Sequence, residues 1–294
     1  MNMEAGTDAP AEDGVGVVIA TRNRRDSLLR TLAAIEALPE RPAIVVVDNA
    51  SDDGTPDAVA TGFPAVGLLP LERNSGAAAR NLGLERIGTP FVAFSDDDSW
   101  WEPGALARAA ATLGRHAAVG LLAARILVGA ERRLDPVSAL MEGPTPPGLP
   151  GPRVSGFLAC GAVVRREAFL AGGGFCERFL IGAEETLLAI DMRAAGWELC
   201  YAPDVTAIHA PHPASRGERH WLRLRNELWT SWLRLPARRA LRDTAELALA
   251  AVRDDIARRA LISAAGGLPW ALRARRATTS APRPGARRGS APGA

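Results

Sequence analysis

The apolar residues of the first hundred positions fall in short runs separated by helical patterns. Val15-Gly16-Val17-Val18-Ile19-Ala20 is a compact, largely β-branched run, as expected of a strand buried on both faces. Arg24 to Ala37 follows, with Leu28, Leu29, Leu32 and Ile35 at helical spacing. Ala43–Val47 reads as a second strand, ending at Asp48, and Val66–Leu69 as a third. Between them, Ser51-Asp52-Asp53-Gly54-Thr55 is turn chemistry, and Pro56 suits a first helical position. Gly76–Ile87 predicts a helix, Phe91–Phe94 a fourth strand, and Pro103–Leu113 another helix. Strand–helix alternation at this spacing predicts an α/β fold, with a mostly parallel, Rossmann-like sheet covered by helices on both faces.

The pattern loosens after that. Ala130–Arg153 is rich in Pro and Gly and reads as a long surface loop or lid. Structure resumes at Phe157–Val164, followed by a helix over Glu184–Ala195 and short strands at Trp197–Tyr201 and Val205–His209. Two more helices are predicted, Arg216–Leu235 (stopped by Pro236) and an amphipathic Leu241–Ala264. The resulting division is a disordered start over 1–13, a main domain over 14–235, a basic helical extension over 236–276 and a Pro-, Gly- and Arg-rich disordered tail over 277–294.

Charge sharpens this division. Every one of the 35 basic residues is Arg, which excludes Schiff-base and P-loop chemistry because both need Lys. The net charge is only +2, but residues 1–210 hold 18 Arg against 27 acids and residues 211–294 hold 17 Arg against 6. A basic helical extension packed on an acidic domain accounts for this; so does a surface that meets an anionic substrate, or anionic lipid at the inner face of a membrane. No nucleic-acid reader motif is present. Three Cys without C-x-x-C spacing argue against a disulfide framework or a zinc site, and no signal peptide or membrane-span pattern is visible. The expectation is a soluble cytoplasmic protein.

Candidate chemistry gathers at the carboxyl ends of the strands, where open α/β sheets bind ligands. Thr21 follows the first strand, Asp48 ends the second, and Asp96-Asp97-Asp98 follow the fourth. Three adjacent carboxylates are costly unless a positive group sits among them. Strand alternation would direct Asp96 and Asp98 to one ligand and Asp97 away. Oxygen donors of this kind suit Mg²⁺ or Mn²⁺ together with phosphate oxygens. Trp100 and Trp101, next along the chain, could stack on sugar rings or pack under the following helix. Arg225 could likewise border an acceptor or pack back on the domain.

Taken in order, five segments resemble family 2 glycosyltransferases of the GT-A fold. They are Val17–Arg24 (VVIATRNR), Val47–Thr55 (VDNASDDGT), Asn74–Gly83 (NSGAAARNLG), Phe94–Asp98 (FSDDD) and Gly182–Glu185 (GAEE), supported by Arg193–Trp197 and Pro203–His209. The resemblance spans about residues 14–235. It implies that Thr21 and Asp48 hold the donor's base and ribose, with Arg22 beside them. It also implies that Arg80 is a donor-side arginine, that Asp96 and Asp98 form the DXD pair with Asp97 between, and that Asp98 ligates the metal. His209 resembles a further metal ligand, and His212, three residues on, is a second candidate. Glu185 stands where the family has the Asp of a Glu-Asp pair that serves as general base; here it is one methylene longer, and Glu184 is its rival. Positions 184 and 185 lie about 100° apart on a helix, so only one should face the site.

The implied reaction is metal-dependent transfer from a nucleotide sugar to an acceptor hydroxyl, with inversion. The acceptor classes compatible with it are a lipid-linked glycan, a cell-wall polymer or a small natural product. A sugar nucleotidyltransferase is the alternative enzyme, although Ala20-Thr21-Arg22-Asn23 lacks the glycine loop such enzymes use. A non-catalytic nucleotide-sugar-binding or scaffold protein is the alternative outside catalysis.

Overall fold

The computed structural model describes residues 14–211 and 220–277. The expected disordered ends lie outside these, apart from Ala277, as does His212. The elements follow in chain order: β1 (Val15–Thr21), α1 (Arg25–Glu36), β2 (Ile44–Asp48), α2 (Thr55–Gly62), β3 (Gly67–Pro70), α3 (Ala79–Arg86), β4 (Phe91–Ser95), β5 (Ser99–Trp101), α4 (Ala105–Arg115), β6 (Val119–Val128), β7 (Arg133–Leu134), α5 (Pro136–Leu140), β8 (Ala162–Arg165), α6 (Arg166–Ala171), α7 (Glu184–Ala194), β9 (Glu198–His209), α8 (His220–Arg234), α9 (Ala237–Ala251) and α10 (Asp255–Arg273).

One sheet runs β3-β2-β1-β4-β8-β6-β9-β5, with β7 added beside β6. β3, β2, β1 and β4 are mutually parallel, as are β6 and β9, while β8 runs antiparallel to both β4 and β6. The chain steps outward from β1 through β2 to β3, then returns to place β4 on the other side of β1. That reversal opens a crevice at the carboxyl ends of β1 and β4, which is where such sheets bind ligands.

Alternating side chains feed two cores. Val17, Ile19 and Val46 pack with Leu28, Leu32 and Ile35 of α1 and with Leu106, Ala109 and Leu113 of α4. Val18, Val45 and Val47 point to the other face and meet Leu84 of α3, Phe169 of α6 and Leu188 of α7. Phe94, Phe169 and Phe175 form a ring cluster there, with centroids 5.4–5.5 Å apart. A third, smaller core joins Phe179, Leu228, Trp229 and Leu233 to Ala264 and Ala271 of α10.

Several boundaries differ from the sequence reading, each for a local reason. The two short strands expected before His209 are one strand, β9, in which the register against β6 jumps from Ala202 to Thr206. The unpaired residues begin at Pro203, which has no amide proton to give the ladder. Within Phe157–Val164, Ala159–Gly161 form a tight 3-10 turn before β8. The single helix expected over Leu241–Ala264 is two, because Asp254 takes extended backbone and its carboxylate caps α10 by accepting from the Ile256 N–H at 2.8 Å. Among the described residues, no helix is long and apolar enough to cross a membrane.

Candidate active site

The loops after β1 and β2 are stitched to each other before any ligand is considered. Ser51 Oγ accepts from the Asn23 N–H and Asn23 Oδ1 accepts from the Asp52 N–H, both at 2.9 Å. Asp53 accepts from the Arg25 N–H at 3.1 Å, so a residue of the second loop caps α1. Asp48 is 1% exposed, and its carboxylate is engaged by the Ser51 hydroxyl and by the Ser51 N–H at 2.9 Å. Asp48 therefore shapes this loop from beneath and is not among the residues that line the cleft.

Asn49, which the sequence reading named only as part of a motif, does line it. Its side chain accepts from the Ser75 N–H at 2.9 Å and donates to the Gly76 carbonyl at 3.3 Å. Gly76 has φ +60° and lies against residue 180; a Cβ there would sit 1.9 Å from the Leu180 carbonyl oxygen. Gly76→Ala is expected to cost more than ~1 kcal/mol of stability. Thermal denaturation measures it, and a variant melting with the wild type would show that this close approach is absent.

The cleft itself has a volume of about 610 Å³ and is lined by Thr21, Arg22, Arg24, Arg80, Asp96, Asp97, Asp98 and His209, among others. All three aspartates face it. Strand alternation does not apply to them because β4 ends at Ser95, and 96–98 form a turn closed by a hydrogen bond from the Ser99 N–H to the Asp96 carbonyl. Asp96 pairs with Arg80, whose guanidinium is almost fully buried and whose Nε has no hydrogen-bond partner. Asp97 accepts from the Thr21 hydroxyl at 3.0 Å and lies 3.4 Å from Arg24 Nε. Asp98 binds Arg24 Nη2 at 3.1 Å and lies 3.4 Å from His209 Nε2.

These contacts leave an electrostatic signature. Burial, then repulsion by Asp96, pushes the Asp97 carboxyl up to about 6, against the pull of Arg24. For His209, burial opposes the charged form, but the hydrogen bond and charge of Asp98 outweigh it and raise its pKa. Arg80 balances Asp96, and Arg24 lies against both Asp97 and Asp98. Sequence reading had placed Arg24 only at a helix start.

His209 enters from the end of β9, where β5 holds it by pairing Ser99 opposite it. Ligand atoms of Asp96, His209 and the buried Cys160 also lie within 4.8 Å of one another. With carboxylate oxygens and an imidazole nitrogen converging in a cleft, the donor set fits a divalent cation.

Glu184 and Glu185 open α7 after Ala183, which holds a left-handed backbone at φ +63°. Glu184 is buried and its Oε2 has no hydrogen-bond partner. Glu185 is half-buried and lines a second cavity of about 520 Å³, with Met141, Phe157, Leu158, Gly182 and Arg223. Its Oε1 lies 3.5 Å from the Ala159 N–H, and it feels the charges of Arg80 and Asp96. Burial raises the pKa of both glutamates. Part of the expected lid reaches the same cavity through Val137, Leu140 and Arg153.

For Trp100, Trp101 and Arg225, each expected either to border an acceptor or to pack on the domain, the structure shows packing. Trp101 is 1% exposed and donates its indole N–H to Ser95 Oγ at 3.1 Å, while Trp100 packs on the core under α1 and α4. Pairing of β5 with β9 fixes both, and neither lines either cavity. Arg225 donates to the Phe179 carbonyl at 2.9 Å and stacks 4.3 Å from the Trp229 ring centroid. Beside it, the Asn226 amide donates to the carbonyls of Phe179 (2.9 Å), Ile181 (3.1 Å) and Gly182 (2.6 Å). Together they strap the segment between the cavities to α8.

The open α/β sheet, with a carboxylate-lined cleft at its switch point and a glutamate at the head of α7, has the GT-A arrangement. The family model for glycosyl transferase family 2 matches residues 16–172, and the chain belongs to that family. A curated relative, the N-acetylglucosaminyl-diphospho-decaprenol L-rhamnosyltransferase of Mycobacterium tuberculosis, is 28% identical over 80% of this chain and 91% of its own length. Among solved structures, the mannosyltransferase PcManGT from Pyrobaculum calidifontis, in complex with GDP-Man and Mn²⁺, aligns with TM-score 0.56 and 23% identity, over 88% of this chain and 72% of its own. S. aureus TarS 1–349 in complex with UDP-GlcNAc aligns with TM-score 0.57 and 20% identity, over 74% of this chain and 66% of its own.

Proposed function

We propose that this glycosyltransferase moves a sugar from a nucleotide-sugar donor to a hydroxyl of a lipid-linked glycan, with inversion at the anomeric carbon and with Mn²⁺ or Mg²⁺ bound. One observation carries the reading: Leu180 and Ile181 line the cleft of Arg80 and Asp96, and Gly182 and Ala183, next along the chain, line the cavity of Glu185, so the two adjoin. The donor belongs in the acidic cleft and the acceptor in the cavity of Glu185. The relative's name specifies a decaprenol-linked acceptor, which supports the acceptor class.

Asp98 and His209 would hold the cation, which when bound supplies Lewis-acid stabilisation of the departing diphosphate. Arg80 adds positive charge on the donor side, and Arg22 and Asn49 border the nucleotide. Thr21 fixes Asp97 and so the turn that presents Asp98. Glu185 accepts the proton of the acceptor hydroxyl as its oxygen attacks the anomeric carbon opposite the diphosphate. The sugar–phosphate bond breaks as the new glycosidic bond forms, leaving the proton on Glu185 and the electron pair on the nucleoside diphosphate. Its raised pKa makes Glu185 a stronger base than an ordinary carboxylate.

The products test this reading. Incubation with nucleotide sugars, Mn²⁺ and a prenyl-diphosphate glycan is expected to yield nucleoside diphosphate and an extended lipid. Pyrophosphate release would instead identify a nucleotidyltransferase, and donor binding without turnover on any acceptor a binding protein.

A further inference from the structure

The C-terminal helices expose apolar side chains that the catalytic domain does not use. Of the ten exposed large hydrophobic residues among the described ones, six lie on α9, α10 and the turn between them. Leu249 is 75% exposed, Val252 72%, Ile262 68% and Leu241 59%, levels that packing within the chain does not explain.

Their spacing is ordered. On α9 the buried or half-buried positions are Ala240, Asp243, Thr244, Leu247 and Ala251, one helical stripe facing the protein. At 100° per residue, Leu241, Ala245, Ala248, Leu249 and Val252 form a second stripe away from it. Arg238 lies within that stripe and Arg242 and Arg253 run along one edge of it, all exposed, with Arg242 Nε 3.6 Å from Glu246. α10 repeats the arrangement: Ala257, Ala260, Ala264 and Ala271 are buried, and Ile262 lies outward among Arg258, Arg259 and Arg273. Residues 237–276 hold nine Arg against four acids.

Apolar stripes edged by arginine suit one kind of partner, a surface with an apolar layer beneath an anionic one. We infer that α9 and α10 dock this protein on an anionic phospholipid bilayer, with Leu241, Leu249 and Val252 entering the headgroup boundary and Arg238, Arg242 and Arg253 meeting lipid phosphates. The purpose of this docking rests on the lipid-linked acceptor proposed above, but the contact itself needs neither donor nor acceptor. α10 packs along α8, which straps the segment leading to Glu185, so the docked helices are rigidly tied to the site.

The test is co-sedimentation of the full chain with vesicles of phosphatidylcholine alone or with 30% phosphatidylglycerol, in low and high salt. Partitioning is expected to be about tenfold or more stronger on the anionic vesicles and to weaken with salt. The Leu241→Glu/Leu249→Glu/Val252→Glu variant is expected to lose about tenfold or more of it while keeping its circular dichroism and its turnover of a short, detergent-free acceptor. Wild-type protein that stays in the supernatant, or a variant that partitions equally, overturns the proposal. So does light scattering showing a wild-type dimer that the variant converts to monomer, since a second copy would then cover the stripe. Failure here leaves the transfer reaction standing, because turnover of the short acceptor needs no bilayer.

Discussion

Glu185→Gln is expected to keep donor affinity and to lose about 10²–10⁴-fold in kcat, the usual contribution of a positioned general base. The amide is nearly isosteric, so the Ala159 N–H and the second cavity keep a partner of the same shape, and only proton acceptance is lost. The pH dependence carries the same signature. Burial raises the Glu185 carboxyl above the ordinary carboxylate range, so the base is lost to protonation at a higher pH than a free glutamate would be. kcat should therefore fall as pH drops through that raised value, with an acidic limb above about 4.5. In Glu185→Gln the residual rate should show no such limb. Equal kcat in wild type and variant, or an unchanged limb, would move the base elsewhere, first to Glu184. Glu184→Gln is the control: its side chain is buried and lines neither cavity, so it should act on stability more than on kcat.

The second large effect concerns the acidic cleft. Asp98→Ala and His209→Ala are each expected to lose about 10²-fold or more of metal-stimulated turnover, because Lewis-acid stabilisation of a leaving group is worth several kcal/mol. Folding should survive both changes, since both side chains face the cleft and not the cores. Steady-state rates at saturating Mn²⁺, compared with rates in chelator, give the measurement. A wild-type enzyme indifferent to chelator would contradict metal use. Arg24→Ala separates the cation from the arginine that meets Asp97 and Asp98: it should keep metal stimulation, whereas the two ligand variants should not.

The sheet and its carboxyl-edge cleft were legible because buried parallel strands show as short β-branched runs and each is followed by helical spacing. Val17–Ile19, Val45–Val47 and Val92–Phe94 all sit in the cores that this pattern implies. The orientation of side chains at the site was less legible, because the chemistry lies where regular structure stops. Asp97 turned toward the cleft because the strand ended at Ser95, a boundary that alternation cannot locate. Asp48 turned inward because Ser51, three residues on, satisfies it locally. Arg24 joined the site and Arg225 took its packing alternative for a similar reason. One sits at a helix start that happens to face the acidic turn, and the other finds carbonyls across a tertiary contact no spacing reveals. The second cavity was missed outright, since Met141, Phe157, Leu158 and Glu185 converge from three separate segments.

Anomalous X-ray scattering from a crystal grown with Mn²⁺ and a nucleoside diphosphate tests the central claim most directly. The account predicts one manganese peak within coordinating distance of both Asp98 and His209, with the diphosphate against it and Glu185 facing the vacant acceptor side. A peak at another group of residues, or a diphosphate held in the cleft with no manganese beside it, would contradict the account.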